Sequence, residues 1–215
     1  KRNLTADEIV EQVLFFARQL NRVDEKITNI VFMGMGEPFL NYDNVLAAIR
    51  LMNDPEGMNI GARRFSISTG GIVPGIEKLA EEKLEGNLAI SLHAADERLR
   101  EKLIPTSKKY PIKKILKAVD DYLAKTNRKV MFEYIMLAGV NDRDEDAVAL
   151  AKIVNKKNYL VNLVRYNETG VYQPSSGNQI KKLKNILEEN GGQVTQRFSF
   201  GSEINAACGQ LALKN

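Results

Sequence analysis

Apolar, β-branched runs alternate with amphipathic helical segments along this chain, joined by short polar loops, and this regular alternation limits the folds open to it. Strand character is expected at Ile27–Met33, Arg64–Thr69, Asn87–Leu92, Lys129–Leu137, Leu160–Arg165 and Gln193–Phe198. Helices are expected at Thr5–Leu20, Tyr42–Met52, Val73–Glu82, Asp96–Leu103, Ile112–Lys125, Asp144–Val154 and Asn178–Glu189. Thr5 and Glu8 have capping-box spacing, and Asn41 stands where the second helix needs a cap. Strands separated by single helices pair in parallel, with every crossover right-handed. The class is α/β: a parallel sheet with outer helices. Because the order opens on a helix, the pattern reads as a partial (βα)6 barrel whose first strand is missing.

At 215 residues the chain suffices for one well-filled domain, with no internal repeat and no low-complexity tract. No apolar run approaches the roughly 18 residues that a membrane span needs. A single cysteine excludes an intramolecular disulfide framework and fits a reducing, cytoplasmic setting. The net charge of +4 permits phosphate-rich partners without demanding them. The pairs Lys108-Lys109, Lys113-Lys114 and Lys181-Lys182 fall mostly on helix faces, where solvation is the default role.

The first apolar run ends in Gly34-Met35-Gly36-Glu37-Pro38. Glycines there permit a tight turn and close approach of a ligand, while Glu37 sets a carboxylate at the strand's carboxyl end. In parallel α/β sheets that end is where ligands bind, and an acid there suits an ammonium group. Polar residues stand at the same end of the other strands: Ser68, Thr69, Ser91, His93, Asn141 and Asn167. Strand-to-loop junctions favour Ser and Asn in any protein, yet five strands deliver these groups to one rim. A binding site is expected there.

These segments carry a family resemblance. The Gly34–Pro38 turn, Ser66-Ile67-Ser68-Thr69, Ser91-Leu92-His93, Tyr134–Leu137 before Val140-Asn141-Asp142, Asn162–Asn167 and Ala206-Ala207-Cys208-Gly209-Gln210-Leu211 occur in order. Over about Asn3–Leu211 the chain resembles the RlmN/Cfr family of radical S-adenosylmethionine (SAM) enzymes, which methylate one adenine of 23S ribosomal RNA. The RlmN branch acts on carbon 2 and on certain tRNAs; the Cfr branch acts on carbon 8 and confers antibiotic resistance. The resemblance implies that Gly36 and Glu37 hold the SAM amino group. It places Ser68 and the Ser91-Leu92-His93 step at the carboxylate and ribose, and Asn167 at the adenosine end. Cys208, in a loop at 199–212, would carry the methyl group before a 5′-deoxyadenosyl radical activates it.

A lone cysteine is more often a small buried hydrophobe; here the Ala-Ala-Cys-Gly-Gln-Leu context argues for a carrier. His93, the one histidine, is expected to contact SAM and not to act as an acid or base. The Cys-x-x-x-Cys-x-x-Cys motif that ligates the family's [4Fe–4S] cluster is absent, so no metal site is expected in these residues. The chain by itself is expected to be inactive, as part of a longer protein. The implied partners are 23S rRNA, tRNA and an electron donor such as flavodoxin or ferredoxin, with a monomeric enzyme in the cytoplasm.

Arg197–Gly201 and Val164–Asn167 lean toward the carbon-8 branch, and Glu133 before Tyr134 toward the carbon-2 branch, which is preferred. A non-catalytic SAM- or RNA-binding module is the alternative of another class. A polar SAM methyltransferase fits less well, because the Gly-Met-Gly-Glu turn lacks the Rossmann glycine spacing.

Overall fold

The computed structural model describes residues 2–197. Six strands, β1 (Ile30–Phe32), β2 (Phe65–Thr69), β3 (Asn87–Ser91), β4 (Val130–Met136), β5 (Tyr159–Arg165) and β6 (Gln193–Arg197), form one parallel sheet in sequence order. The connecting helices are α2 (Tyr42–Asn53), α3 (Val73–Glu81), α4 (Glu97–Leu103), α5 (Ile112–Thr126), α6 (Asp144–Val154) and α7 (Gly177–Glu189), with α1 (Ala6–Asn21) ahead of β1. The strands of the α/β reading are all present, and the expected capping box of Thr5 and Glu8 is formed. No helix among the described residues is long and apolar enough to cross a membrane.

Sequential strand order with right-handed crossovers places the connecting helices on one face of the sheet. The strands are accordingly two-sided. Phe65, Ile67, Leu88, Ile90, Phe132, Tyr134, Tyr159 and Val161 point outward and are buried with Ile49, Met52, Ile76, Ile115, Val119, Leu150 and Leu187 of the helices. The alternate positions carry Ser66, Ser68, Asn87, Ser91, Glu133, Asn162 and Thr195, interspersed with Met131, Ile135, Leu160 and Val164. The sheet is curved toward that polar face. Six flat strands would hold their edges about 24 Å apart at ~4.8 Å per step, yet Arg197 Nη1 on β6 reaches Met33 Sδ beside β1 at 3.4 Å. The result is a part-barrel, open between β6 and β1, whose inside carries most of the strands' polar side chains.

Two expectations are corrected. The first strand is neither as long nor as buried as Ile27–Met33 implied: only Ile30–Phe32 pair, and Val31 is 50% exposed. As an edge strand it is hydrogen-bonded on one side only, to β2. Asn41 occupies the N-cap position of α2 but caps nothing. A short 3₁₀ turn, Pro38–Asn41, precedes the helix, and the Asn41 amide instead donates to Leu4 O at 2.8 Å, tying the N-terminal segment down.

That 3₁₀ turn is locked by packing. Phe39 is buried against Gly75 of α3, where an added Cβ would lie 2.4 Å from the Phe39 ring. Alanine is the better helix former by about 1 kcal/mol, but the overlap opposes it. Gly75→Ala is expected to destabilise the protein by about 1–3 kcal/mol, read as a lower urea midpoint at unchanged slope; a stabilised variant would show that Phe39 is free to move.

Candidate functional site

A cleft with about 230 Å³ of water-accessible space opens at the carboxyl ends of the strands. Gly36, Glu37, Ser68, Thr69, Gly70, Ser91, His93, Glu133 and Arg197 are among the residues lining it. Glu37 is fixed more firmly than a loop carboxylate needs to be. Its Oε1 accepts from Phe39 N–H at 3.1 Å, within its own turn, and its Oε2 accepts from Gly70 N–H at 2.7 Å, across the β2–α3 loop. Gly36, at φ +94°, takes a backbone conformation that disfavours any side chain, and an added Cβ there would meet nothing within 4 Å. Glu37 makes no ion pair among the described residues. Two amide bonds leave about two of a carboxylate's four lone-pair sites unused. The turn is thus a preset acceptor with room for further donors.

The wall beside Glu37 hangs on Arg100, which is fully buried on α4. Its guanidinium donates to Gly70 O at 2.8 Å, Ser91 O at 3.0 Å, Leu92 O at 3.1 Å and Tyr110 O at 3.4 Å. Burial lowers its pKa to about 10, against an opposing pull from Glu97, so it stays charged at neutral pH. Four carbonyl dipoles replace a carboxylate partner, and they join the loops after β2 and β3. Thr69 Oγ1, also buried, accepts from Gly71 and Ile72 N–H at 3.1 and 3.2 Å and shapes the entry to α3.

His93 turns the chain at φ +59°, a left-handed conformation that costs a side-chain-bearing residue energy. It is held there from β4: His93 N–H donates to Glu133 O at 3.3 Å, and His93 O accepts from Asn141 Nδ2 at 2.8 Å. The ring Nδ1 accepts from Ile135 N–H at 3.2 Å, which requires a lone pair on Nδ1 and leaves Nε2–H as the donor. Burial, reinforced by the Arg100 charge, pushes the pKa down to about 4. A neutral donor is the outcome.

The expected rim residues therefore divide. Gly36, Glu37, Ser68, Ser91 and His93 converge on the cleft, and the Ser68 and Ser91 hydroxyls are 3.5 Å apart. Leu92 does not join them: its side chain is in the outer core, its N–H bonds to Glu133 O and its carbonyl to Arg100. Asn167 is partly buried beyond β5 and is not among the cleft-lining residues. Asn141 is a buried clamp, donating also to Ile135 O and accepting from Leu137 N–H. Cys208 and its loop at 199–212 lie outside the described residues. Sequence reasoning passed over Arg100 and used Glu133 only to weigh branches. An acid and an amide inside otherwise apolar strands, Glu133 and Asn162, were a usable signal; a buried arginine on a charged helix was not.

A family model described as the radical SAM superfamily matches residues 1–151. The chain belongs to the radical SAM superfamily. It is 46% identical over 213 residues to a probable dual-specificity RNA methyltransferase RlmN of Dictyoglomus thermophilum, covering 98% of this chain and 61% of that protein. It is 49% identical to a protein of the same name from Caldicellulosiruptor saccharolyticus, at the same coverage of each. A solved radical SAM methyltransferase from Sphaerobacter thermophilus superposes with a TM-score of 0.95 at 42% identity, covering 98% of this chain and 62% of that one. These similarities bear out the RlmN resemblance drawn from the ordered motifs. The chain spans about three-fifths of the length of the relatives it matches.

Superfamily membership implies SAM and a [4Fe–4S] cluster. The residues present fit SAM: a fixed carboxylate at the Gly-Glu turn, hydroxyls at Ser68 and Ser91, and a neutral ring donor at His93 share one cleft. They do not fit the cluster. The sequence holds one cysteine, and no grouping of three or more His, Cys, Asp or Glu among the described residues could hold a metal ion.

Two outcomes follow from this arrangement. The single histidine gives one imidazole NMR signal, expected to titrate near pH 4 as the Nε2–H tautomer. Its folded pKa lies below the ordinary value near 6.5, so the stability it contributes is present above about pH 6.5 and is lost as pH falls toward 4. A midpoint near 6.5 would contradict the Ile135 bond. Arg100→Lys is expected to lower stability by at least ~2 kcal/mol in urea melts, because an ammonium cannot fork to four carbonyls; wild-type stability would show that those bonds are dispensable.

Proposed function

We propose that this chain is the SAM-binding core of an RlmN-type RNA methyltransferase that methylates carbon 2 of one adenine in 23S rRNA, and a tRNA adenine as well. The observation that carries the reading is Glu37, a carboxylate held by two backbone amides at the strand ends without a cation partner among the described residues. The relatives' names support an RNA substrate, and the family resemblance supports the carbon-2 position. An electron donor of the flavodoxin or ferredoxin kind, a cytoplasmic location and a monomeric state belong to the same reading.

Within it, Glu37 binds and orients the amino group, while Ser68 and Ser91 offer hydroxyls to the carboxylate and ribose. His93 donates from Nε2 without changing charge above about pH 4. When bound, SAM supplies the methyl group and the radical that an unreactive aromatic carbon requires. Cys208 is assigned as the methyl carrier on its motif alone.

The protein expressed from the complete gene, given 23S rRNA, SAM and a reductant, should yield 2-methyladenosine on nucleoside digestion and mass spectrometry. Cys208→Ala should abolish it. Formation of 8-methyladenosine would reassign the branch, and product formation by Cys208→Ala would remove the cysteine from the reaction.

A further inference from the structure

Glu133 is a buried acid on the floor of the cleft for which the reading so far has no use. It is 6% exposed, midway along β4, at an inward position. Strand register sets it opposite Ser91 on β3 and Asn162 on β5, and Asn162 opposite Thr195 on β6. One polar row thus crosses four strands at one height. Barrel interiors are ordinarily filled with branched apolar side chains, so a row of this kind requires polar company.

Its hydrogen bonds leave Glu133 incompletely satisfied. Asn162 Nδ2 donates to Oε1 and Oε2 at 3.2 and 3.1 Å, and Asn162 Oδ1 is itself occupied by Thr195 Oγ1 at 3.1 Å. One shared amide is the only side-chain donor to this carboxyl among the described residues, although two carboxylate oxygens have about four acceptor sites. No ion pair involves Glu133 there. Burial raises its pKa, opposed by the Asn162 bond and the Arg197 charge. A group whose ionised form is disfavoured is a poor seat for an ammonium, whereas hydroxyls can pair with either protonation state. Its neighbours Ser91 and Asn162 are hydroxyl-compatible groups too.

Position selects the hydroxyls. Glu37 and Glu133 line one cleft, three strand spacings apart along the sheet, about 14 Å, and less across its concave side. A ligand anchored by its ammonium at Glu37 extends along this floor toward β4. We propose that Glu133 binds the ribose cis-diol of SAM, the two hydroxyls matching the two carboxyl oxygens. This rests on the SAM reading and adds a ligand contact to it. The chemistry is the one by which an acid reads the ribose of a dinucleotide in other α/β sheets.

A double-mutant cycle tests the contact, using calorimetry on protein from the complete gene with S-adenosylhomocysteine and its 2′,3′-dideoxy analogue. Wild type should prefer the ribose form by about tenfold, the order of two net hydrogen bonds. In Glu133→Ala that preference should shrink to less than about twofold, with the deoxy form little affected. Glu133→Gln, which keeps the side-chain volume, should cut the preference at least about threefold and covers the case of a misfolded alanine variant. If both forms weaken equally in the variants, Glu133 acts only on the fold and the inference fails. The same holds if wild type binds both forms equally. No binding of S-adenosylhomocysteine to wild type would instead overturn the SAM reading itself.

Discussion

A carboxylate bonded to amides from two different loops is the constraint on which this site depends. Glu37 can accept from Gly70 only if β1 and β2 are neighbours, with their carboxyl ends level. Phe39, two residues on, fixes the same turn to α3 at Gly75, where no Cβ fits. Arg100 then holds Gly70 from behind and couples it to Ser91. Charge-assisted bonds of this kind are short and strong, and the partners of Glu37 and Arg100 here are backbone groups whose position the fold dictates. The acceptor is rigid before any ligand arrives, which is how binding energy avoids being spent on ordering side chains.

The two faces of the sheet divide the labour. Outward positions are apolar and take nearly all of the packing with the helices. Inward positions mix polar groups with Met131, Ile135, Leu160 and Val164, and the curvature that brings Arg197 to Met33 turns them toward one another. A closed eight-stranded barrel fills its interior with side chains. Here the cleft is lined with hydroxyls and two acids, Glu37 and Glu133, beside apolar Phe32, Met33, Ile135 and Val164, and the sheet is open at the β1 edge. Such a lumen suits an elongated polar ligand better than a core.

Much of this was legible in the sequence. Period gave the order of elements, because the outward positions of β2 to β5 are almost all apolar and the intervening helices are amphipathic. Five of the seven candidate cofactor contacts reached the cleft, since residues at strand ends project to a common rim in any parallel sheet. The Leu92 side chain faces the helices for the same physical reason: neighbours on a strand face opposite sides, so the side chains of a contiguous Ser-Leu step cannot both face the cleft. Val31 on the edge strand and the occupied side chain of Asn41 depend on who lies next door in space, which local pattern does not record. Arg100 is the clearest case, an arginine on a charged helix whose burial only the two adjoining loops explain.

The ammonium seat proposed at Glu37 is open to a direct test. Affinity for S-adenosylhomocysteine and for its analogue lacking the amino group, measured in wild type and in Glu37→Gln of the complete protein, tests it directly. The account predicts that wild type favours the amine by about tenfold or more, the scale of one charge-assisted contact, and that Glu37→Gln loses this preference. An undiminished preference in Glu37→Gln would place the ammonium elsewhere and contradict the account.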